Sequence, residues 1–421
     1  MLKAIKIRIY LNNEQKVYIS KLLGSCRFVY NNCLAYRIEK YNQEKITIGF
    51  AELGKYLTEL KKKEEYVWLK DSHSKVLQQT LINLEYAYKS FFKNDMGFPK
   101  FKSKKDNKQS CRFPVDAIGG ICGNRINIIK TLKDIHYKCS INDEKYLNHN
   151  QNLIKSATLT RTKSNKYYFS ILIDKPNIKS LPEIDKIIGI DLGIKDFVIT
   201  SKGDKFENIK TIRNNEKPLI KLQRQLSKKQ LNSKNRNKLR IKLAKKYEKI
   251  NNIKENYLHQ ISNQLLNENQ VIVMEDLNVN GMLKNHKLVK SIRELSLSRF
   301  KEMLIYKADW YDRQVIEIDR WYPSSKLCSI CGYKNNELKL SDRKWTCPVC
   351  NTIHDRDYNA AINIKKEGLR ILSIKENKLN NIKIGLGSPE LTLEDYPLMD
   401  DKAEMPLKSY DRMRQEKNEL L

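Results

Sequence analysis

Two cysteine pairs set the tightest limit on what this chain can fold into. Cys328-Ser329-Ile330-Cys331 is followed, fifteen residues later, by Cys347-Pro348-Val349-Cys350. Two such pairs place four soft thiolates on two knuckles, the donor set of a tetrahedral zinc ion closed to solvent. Gly332 and Pro348 supply the turns those knuckles need. With all four positions taken by sulfur, Zn²⁺ here would brace the fold and take no part in a reaction. The other five cysteines, Cys26, Cys33, Cys111, Cys122 and Cys139, are scattered, and an odd total of nine in a chain of 421 residues argues against a disulfide framework.

Charge narrows the partners. Lys+Arg 80 against Asp+Glu 49 leaves a net +31. Such an excess strains the compact state and favours polyanions, because neutralising phosphates releases condensed counterions. Nucleic acid is therefore the leading partner, and attraction of a basic patch to lipid the weaker one. The length suggests two to four domains of about 100–200 residues, and 40% hydrophobic residues suffice for real cores, which excludes a disordered basic tail. Met1-Leu2-Lys3-Ala4-Ile5-Lys6-Ile7-Arg8-Ile9-Tyr10 alternates apolar and basic residues like a strand, unlike a signal peptide. No stretch approaches the roughly 18 apolar residues of a membrane span, so the expectation is a soluble, intracellular protein.

From Asn12 to about Phe92 apolar residues recur at helical spacing, with no proline to interrupt them. Two aromatic stretches within it, Arg27-Phe28-Val29-Tyr30-Asn31-Asn32 and Leu84 to Phe92, read either as helix core or as faces that stack on nucleic acid. Residues 94–110 carry Gly97, Pro99 and a run of Lys100, Lys102, Lys104, Lys105 and Lys108, an exposed basic loop. The period then changes to two in Arg125–Ile129, Ala157–Arg161 and Lys166–Ile173. Beyond a linker bracketed by Pro176 and Pro182, strands are expected at Lys186–Ile194, Phe197–Thr200, Val271–Leu277 and Val315–Asp319, with a basic helical stretch over 213–268 and a helix over 295–311. From Ser388 onward nine acids outnumber five bases, giving −4 and leaving +35 on the preceding 387 residues; that segment reads as a flexible acidic tail.

Three acids stand where carboxylates are costly. Asp191 lies inside an apolar strand, Glu275 ends another, and Asp357 sits in His354-Asp355-Arg356-Asp357-Tyr358-Asn359-Ala360-Ala361-Ile362-Asn363. A carboxylate in such a place is paired or binds a cation. The pattern reads either as a cluster for Mg²⁺ or Mn²⁺, able to support phosphodiester cleavage, or as ordinary salt-bridged acids.

The combination of Gly189-Ile190-Asp191-Leu192-Gly193, Val273-Met274-Glu275-Asp276-Leu277, Pro323-Ser324-Ser325-Lys326-Leu327-Cys328-Ser329-Ile330-Cys331-Gly332, Cys347-Pro348-Val349-Cys350 and Asp355-Arg356-Asp357-Tyr358-Asn359-Ala360-Ala361 resembles the OrfB/TnpB proteins of bacterial insertion sequences, kin of compact type V CRISPR effectors. Order and spacing match over nearly the whole chain. The resemblance implies a multidomain α+β protein: an oligonucleotide-binding β-barrel over 1–10 and 94–180, a helical recognition domain inserted over 11–93, a RuvC-like nuclease of RNase H fold over 184–322 and 354–375, a zinc ribbon over 323–353, and a flexible tail over 376–421. It implies an RNA-guided DNA endonuclease in which a guide RNA from the transposon end pairs with double-stranded target DNA beside a short adjacent motif. Asp191, Glu275 and Asp357 would be its catalytic, Mg²⁺-holding acids, with Asp355 as a helper. Arg27, Lys100, Lys102, Lys104 and Lys105 are candidate nucleic-acid contacts. A cytoplasmic, nucleoid-associated location follows, together with a functional association with a separate transposase.

Two other classes compete. An RNA-guided repressor that binds without cutting would be expected to lack at least one of the three acids. A single-strand transposase needs two histidines flanking one apolar residue, and none of His73, His136, His149, His259, His286 and His354 is so placed; the chain would then be at most an accessory to transposition.

Overall fold

The computed structural model describes residues 2–93, 97–106, 108–174, 181–284, 289–339 and 341–385. Strand β1, Leu2–Tyr10, buries Ile5, Ile7 and Ile9 and leaves Lys6 in solvent, as its alternation requires. Helix α1, Asn13–Glu44, begins where Asn12 accepts from the Gln15 amide and Gln15 returns the bond to the Asn12 amide, a capping box, and ends at Lys45 in the left-handed region. Helices α2, Phe50–Leu60, and α3, Ser74–Lys93, complete the helical segment.

Several aromatic residues of that segment are buried in the core or pack against it. Tyr30 and Tyr88 are buried, Phe28 packs against Tyr66 and Trp68 with ring centres 5.1 and 5.2 Å apart, and Tyr36 stacks on Tyr56 at 4.0 Å. Tyr86 and Phe92 stay exposed. The buried guanidinium of Arg37 bonds Glu85 at 2.9 Å and lies 3.8 Å above the Tyr88 ring.

Strands β2 (Lys108–Pro114), β3 (Gly120–Cys122), β4 (Arg125–Asn127) and β5 (Ile135–Lys138), helix α4 (Ile141–His149), and strands β6 (Ile154–Thr162) and β7 (Tyr167–Asp174) follow. The sheet they form with β1 has seven strands in the order β2-β6-β7-β1-β5-β4-β3, every pairing antiparallel. The first strand therefore does join the later ones, pairing Ile7 with Phe169, with the helices inserted between. The basic loop gives way to β2 at Lys108, where Cys111 and Phe113 turn inward on either side of Arg112. Pro114 closes that strand at the sheet edge, a place where a missing amide costs little.

A second sheet follows, built from β8 (Ile187–Asp191), β9 (Asp196–Thr200), β10 (Lys205–Glu207), β11 (Val271–Glu275) and β12 (Gln314–Ile318) in the order β10-β9-β8-β11-β12. β9 runs antiparallel to both of its neighbours, β10 and β8, whereas β8, β11 and β12 run parallel to one another. Between them lie α5 (Thr211–Asn214), α6 (Glu216–Ser227), α7 (Lys234–Glu268), α8 (Val279–Met282), α9 (Val289–Leu295) and α10 (Leu297–Tyr311). The basic stretch over 213–268 is thus several helices; α6 takes Pro218 in its first turn, and Ser233 caps α7 by accepting from Arg236. Ile188, Ile190, Ile272 and Met274 form one face of the sheet and pack on Leu258, Leu265, Phe300 and Leu304 of α7 and α10.

The remainder is the short pair β13 (Lys344–Thr346) and β14 (Ile353–Asp355), then α11 (Arg356–Gly385). Helix α11 runs ten residues past the boundary expected at 375. The acidic segment from Ser388 and the linker residues 175–180 lie outside the described residues. The chain forms two compact units, Met1–Lys366 and Glu367–Leu421, the second described only to Gly385. No helix among the described residues is long and apolar enough to cross a membrane.

Candidate active site

Register brings the first two acids together. Strands β8 and β11 pair in parallel with Gly189 opposite Val273 and Ile190 opposite Met274. One residue further, Asp191 and Glu275 end their strands level and on the same face, opposite the face that packs on α7 and α10. That acid-bearing face receives α11. A side chain on Gly189 would stand 2.2 Å from the Ala361 carbonyl oxygen and 2.6 Å from the Lys365 nitrogen, so the helix backbone lies directly on the strand. Only a residue without a Cβ permits this approach.

Close docking of α11 brings its first turn, and with it Asp357, to the strand ends. Burial, then the charges of Glu275 and Asp357, push the Asp191 carboxyl up to about 7, against the partial relief of Arg356 and the Leu192 amide. Glu275 is raised too, chiefly by burial, while the Ser324 hydroxyl that donates to it pulls the other way. Asp357 accepts two bonds from Arg343 Nη1, at 2.8 and 3.2 Å. Asp355 has another occupation. Its carboxylate caps α11 by accepting from the Tyr358 amide and pairs with Lys205, each at 3.2 Å; burial would raise it, but these contacts together hold it below the usual carboxylate range.

The four cysteines meet as their spacing requires. Their sulfurs all lie within 4.8 Å of one another, with Cys328 beside Cys350 and Cys331 beside Cys347 at 3.5 Å each. This all-sulfur donor set fits a tetrahedral zinc ion. Among the described residues it is the one group of three or more such side chains drawn that close; the three acids stand wider apart. The ring of buried His354 approaches Cys328 Sγ at 3.1 Å and packs on Trp345, an outer partner of the kind that orients metal ligands.

Two asparagines lock the cysteine knuckle to the helix of Asp357. Asn359 donates to the Leu327 carbonyl at 2.6 Å and accepts from the Ser329 amide at 2.9 Å. Asn363 donates to the carbonyls of Ser324 and Leu327 at 2.8 and 2.7 Å. Both side chains are buried. Their spacing of four residues, visible in the sequence, puts them on one helix face. Ser324 and Arg343 carried no signal of their own, because each finds its acid only through the fold.

The candidate nucleic-acid contacts lie elsewhere in the unit. Lys100, Lys104 and Lys105 are exposed, while Arg27 is half-buried on α1. Asn31 clasps the backbone of Lys102 with bonds of 3.0 and 2.8 Å, and the Lys102 ammonium lies 3.8 Å above the Tyr30 ring. The basic segment is therefore held against α1, with Lys102 engaged in a cation–π contact.

In fold the chain is similar to Cas12f1. It superposes on a Cas12f1 chain solved with sgRNA and target DNA, with a TM-score of 0.53 over 87% of this chain and 98% of that one, at 15% identity. Family models match three segments: OrfB_IS605, described as "Probable transposase", residues 170–286; a Cas12f1-like TNB domain, residues 298–364; and a helix-turn-helix domain of OrfB_IS605, residues 1–45. Residues 2–45 form here a strand and one unbroken helix. A Streptomyces pristinaespiralis protein named "Putative RNA-guided DNA endonuclease" is 35% identical over 372 residues, 87% of this chain and 89% of the relative. InsQ of Escherichia coli K12, named in the same words, is 30% identical over 392 residues, 89% of this chain and 94% of the relative. The chain belongs to the OrfB/TnpB family.

Proposed function

We propose that this chain is an RNA-guided DNA endonuclease of an insertion sequence that cuts target DNA beside a short adjacent motif by metal-dependent phosphodiester hydrolysis. The observation that carries the reading is the convergence of Asp191, Glu275 and Asp357 from two parallel strands and a helix, close enough that the latter two raise the first. The order of the five-stranded sheet, antiparallel then parallel, with a helix laid on its acid-bearing face, supports a RuvC-like nuclease of RNase H fold. The excess of positive charge suits a guide RNA and double-stranded DNA, and the seven-stranded sheet with its inserted helices suits their recognition.

The acids fit divalent-cation ligands, since a carboxyl as disfavoured as Asp191 is relieved by a nearby cation. When bound, Mg²⁺ or Mn²⁺ supplies the positive charge that activates water and stabilises the leaving oxygen. Asp191 and Glu275 would hold that charge from adjacent strand ends. Ser324 fixes the orientation of Glu275 through its hydroxyl. Arg343 pairs with Asp357 and fixes the orientation of its carboxylate, which would share in holding that charge. The four cysteines would hold zinc away from the chemistry, in the segment that carries Ser324 and Arg343.

The test is cleavage of a target plasmid by the protein purified with its own RNA, in the presence of Mg²⁺. Cutting that disappears in Asp191→Ala and on withholding Mg²⁺ is the expected result. Target binding with no cleavage by the unaltered protein would favour an RNA-guided repressor, and loss of cutting only when a partner transposase is removed would favour an accessory role.

A further inference from the structure

Trp321 is 84% exposed, the most exposed large apolar side chain among the described residues. Of the other tryptophans, Trp345 is buried, Trp310 half-buried and Trp68 43% exposed. Scattered apolar side chains on a surface need no explanation. This one differs in how firmly its backbone is held and in what holds it.

The segment from Asp319 to Ser324 is fastened to Glu275, the last residue of β11, and to Asp276 just after it. Arg320 on one side of Trp321 bonds Asp276, and Ser324 on the other bonds Glu275. Within the segment the Trp321 amide donates to Asp319 Oδ1 at 2.7 Å, the Tyr322 amide to the Asp319 carbonyl at 3.1 Å, and the Ser324 amide to the Tyr322 carbonyl at 2.8 Å. Three residues span at most roughly 11 Å, so the indole is rooted within that distance of the serine that touches Glu275. Glu275 and Arg320 also line a cleft of about 360 Å³ with Leu192, Leu277 and Val279, room on the scale of one small ligand. An indole left in water on a stapled loop, beside acids that would meet a phosphodiester, has the character of a stacking platform, since every base presents an aromatic face.

We infer that Trp321 stacks on an unpaired nucleobase of the DNA strand adjoining the scissile phosphate and so positions that strand for cleavage. The inference rests on the endonuclease reading and adds a substrate contact to it. Trp321 acts as a positioning residue: it orders the strand and exchanges no proton with it.

The experiment uses the protein purified with its own RNA and target strands carrying single abasic nucleotides, scanned through the region that protrudes from the guide duplex. In an Asp191→Ala background, where nothing is cut, one abasic position should weaken binding about 10-fold, the scale of one base–aromatic stack. Trp321→Ala should lose that sensitivity at that position alone, and Trp321→Phe should keep most of it. With the acids intact, Trp321→Ala should raise KM about 10-fold and leave kcat and Tm nearly unchanged. Undiminished abasic sensitivity in Trp321→Ala overturns the inference. So does loss of guide RNA from that variant with no effect on DNA, which would make RNA the occupant. If the unaltered protein binds target but never cuts it, the endonuclease reading fails while the abasic scan still decides on Trp321. Failure to bind DNA at all overturns both.

Discussion

Replacing Asp191 by Asn isolates the electrostatic cost of the acid cluster. Burial, with Glu275 and Asp357 nearby, moves this carboxyl from 3.8 to about 7. The gap of about 3 units, at 1.36 kcal/mol each, makes the ionised group a burden on the order of 4 kcal/mol in the magnesium-free fold. The folded chain holds the proton more tightly than the unfolded one, so the cost is absent below about pH 4, grows as pH rises, and is complete above about 7. Asn carries no charge and still offers an oxygen to the Leu192 amide. Asp191→Asn should therefore raise the Tm of zinc-loaded, magnesium-free protein at pH 8 by about 3–8 °C and leave it unchanged at pH 4. Scanning calorimetry over that pH range reads this directly. Adding Mg²⁺ at pH 8 should reverse the order, because only the unaltered cluster gains a counter-charge. A variant less stable than its parent at pH 8, or equally stabilised at pH 4 and pH 8, would refute the argument that neighbouring carboxylates and burial set the state of Asp191.

Other substitutions probe the scaffold. Gly189→Ala forces a methyl to 2.2 Å from the Ala361 carbonyl oxygen; it should cost more than about 3 kcal/mol, seen as a lowered unfolding midpoint, and abolish cleavage. Asn363→Ala strips the buried Ser324 carbonyl of its donor and leaves the Leu327 carbonyl to Asn359 alone; it should cost about 1–3 kcal/mol, with cleavage reduced in step. Cys347→Ser should lower zinc content, measured by atomic absorption, along with soluble yield and thermal stability; normal zinc content in that variant would contradict the assignment of the four sulfurs.

Local patterns made the organisation readable in advance. Alternation over residues 2–10, the capping Asn12 and the apolar runs ending at Asp191 and Glu275 each report a period or a boundary that burial enforces. Pairing of β1 with β7 across more than 150 residues left no local trace and came from the resemblance alone. Short strands were harder to see: β3 and β10 have three residues each, too few for a period to register. In the site, the acids and cysteines announced themselves as residues costly or idle anywhere else. Ser324, Arg343 and Lys205 did not, since serines and basic residues are common on any surface of so basic a chain. What singles them out is a partner far away in sequence.

The four-cysteine unit is more than a brace at a distance. Its chain leaves β12 through Ser324, which donates to Glu275, and passes through Arg343, which holds Asp357, before β14 delivers Asp355 to cap α11. Asn359 and Asn363 return from that helix to the first knuckle. Two of the three acids are therefore oriented by residues that belong to the four-cysteine unit, while Asp191 depends on the sheet. Loss of zinc should be felt at Glu275 and Asp357 first, with the core behind Asp191 intact, because that core is closed by α7 and α10 and draws nothing from the ribbon. On the proposed reading, a metal held by the four cysteines would take no part in hydrolysis and would still govern whether the three acids can meet.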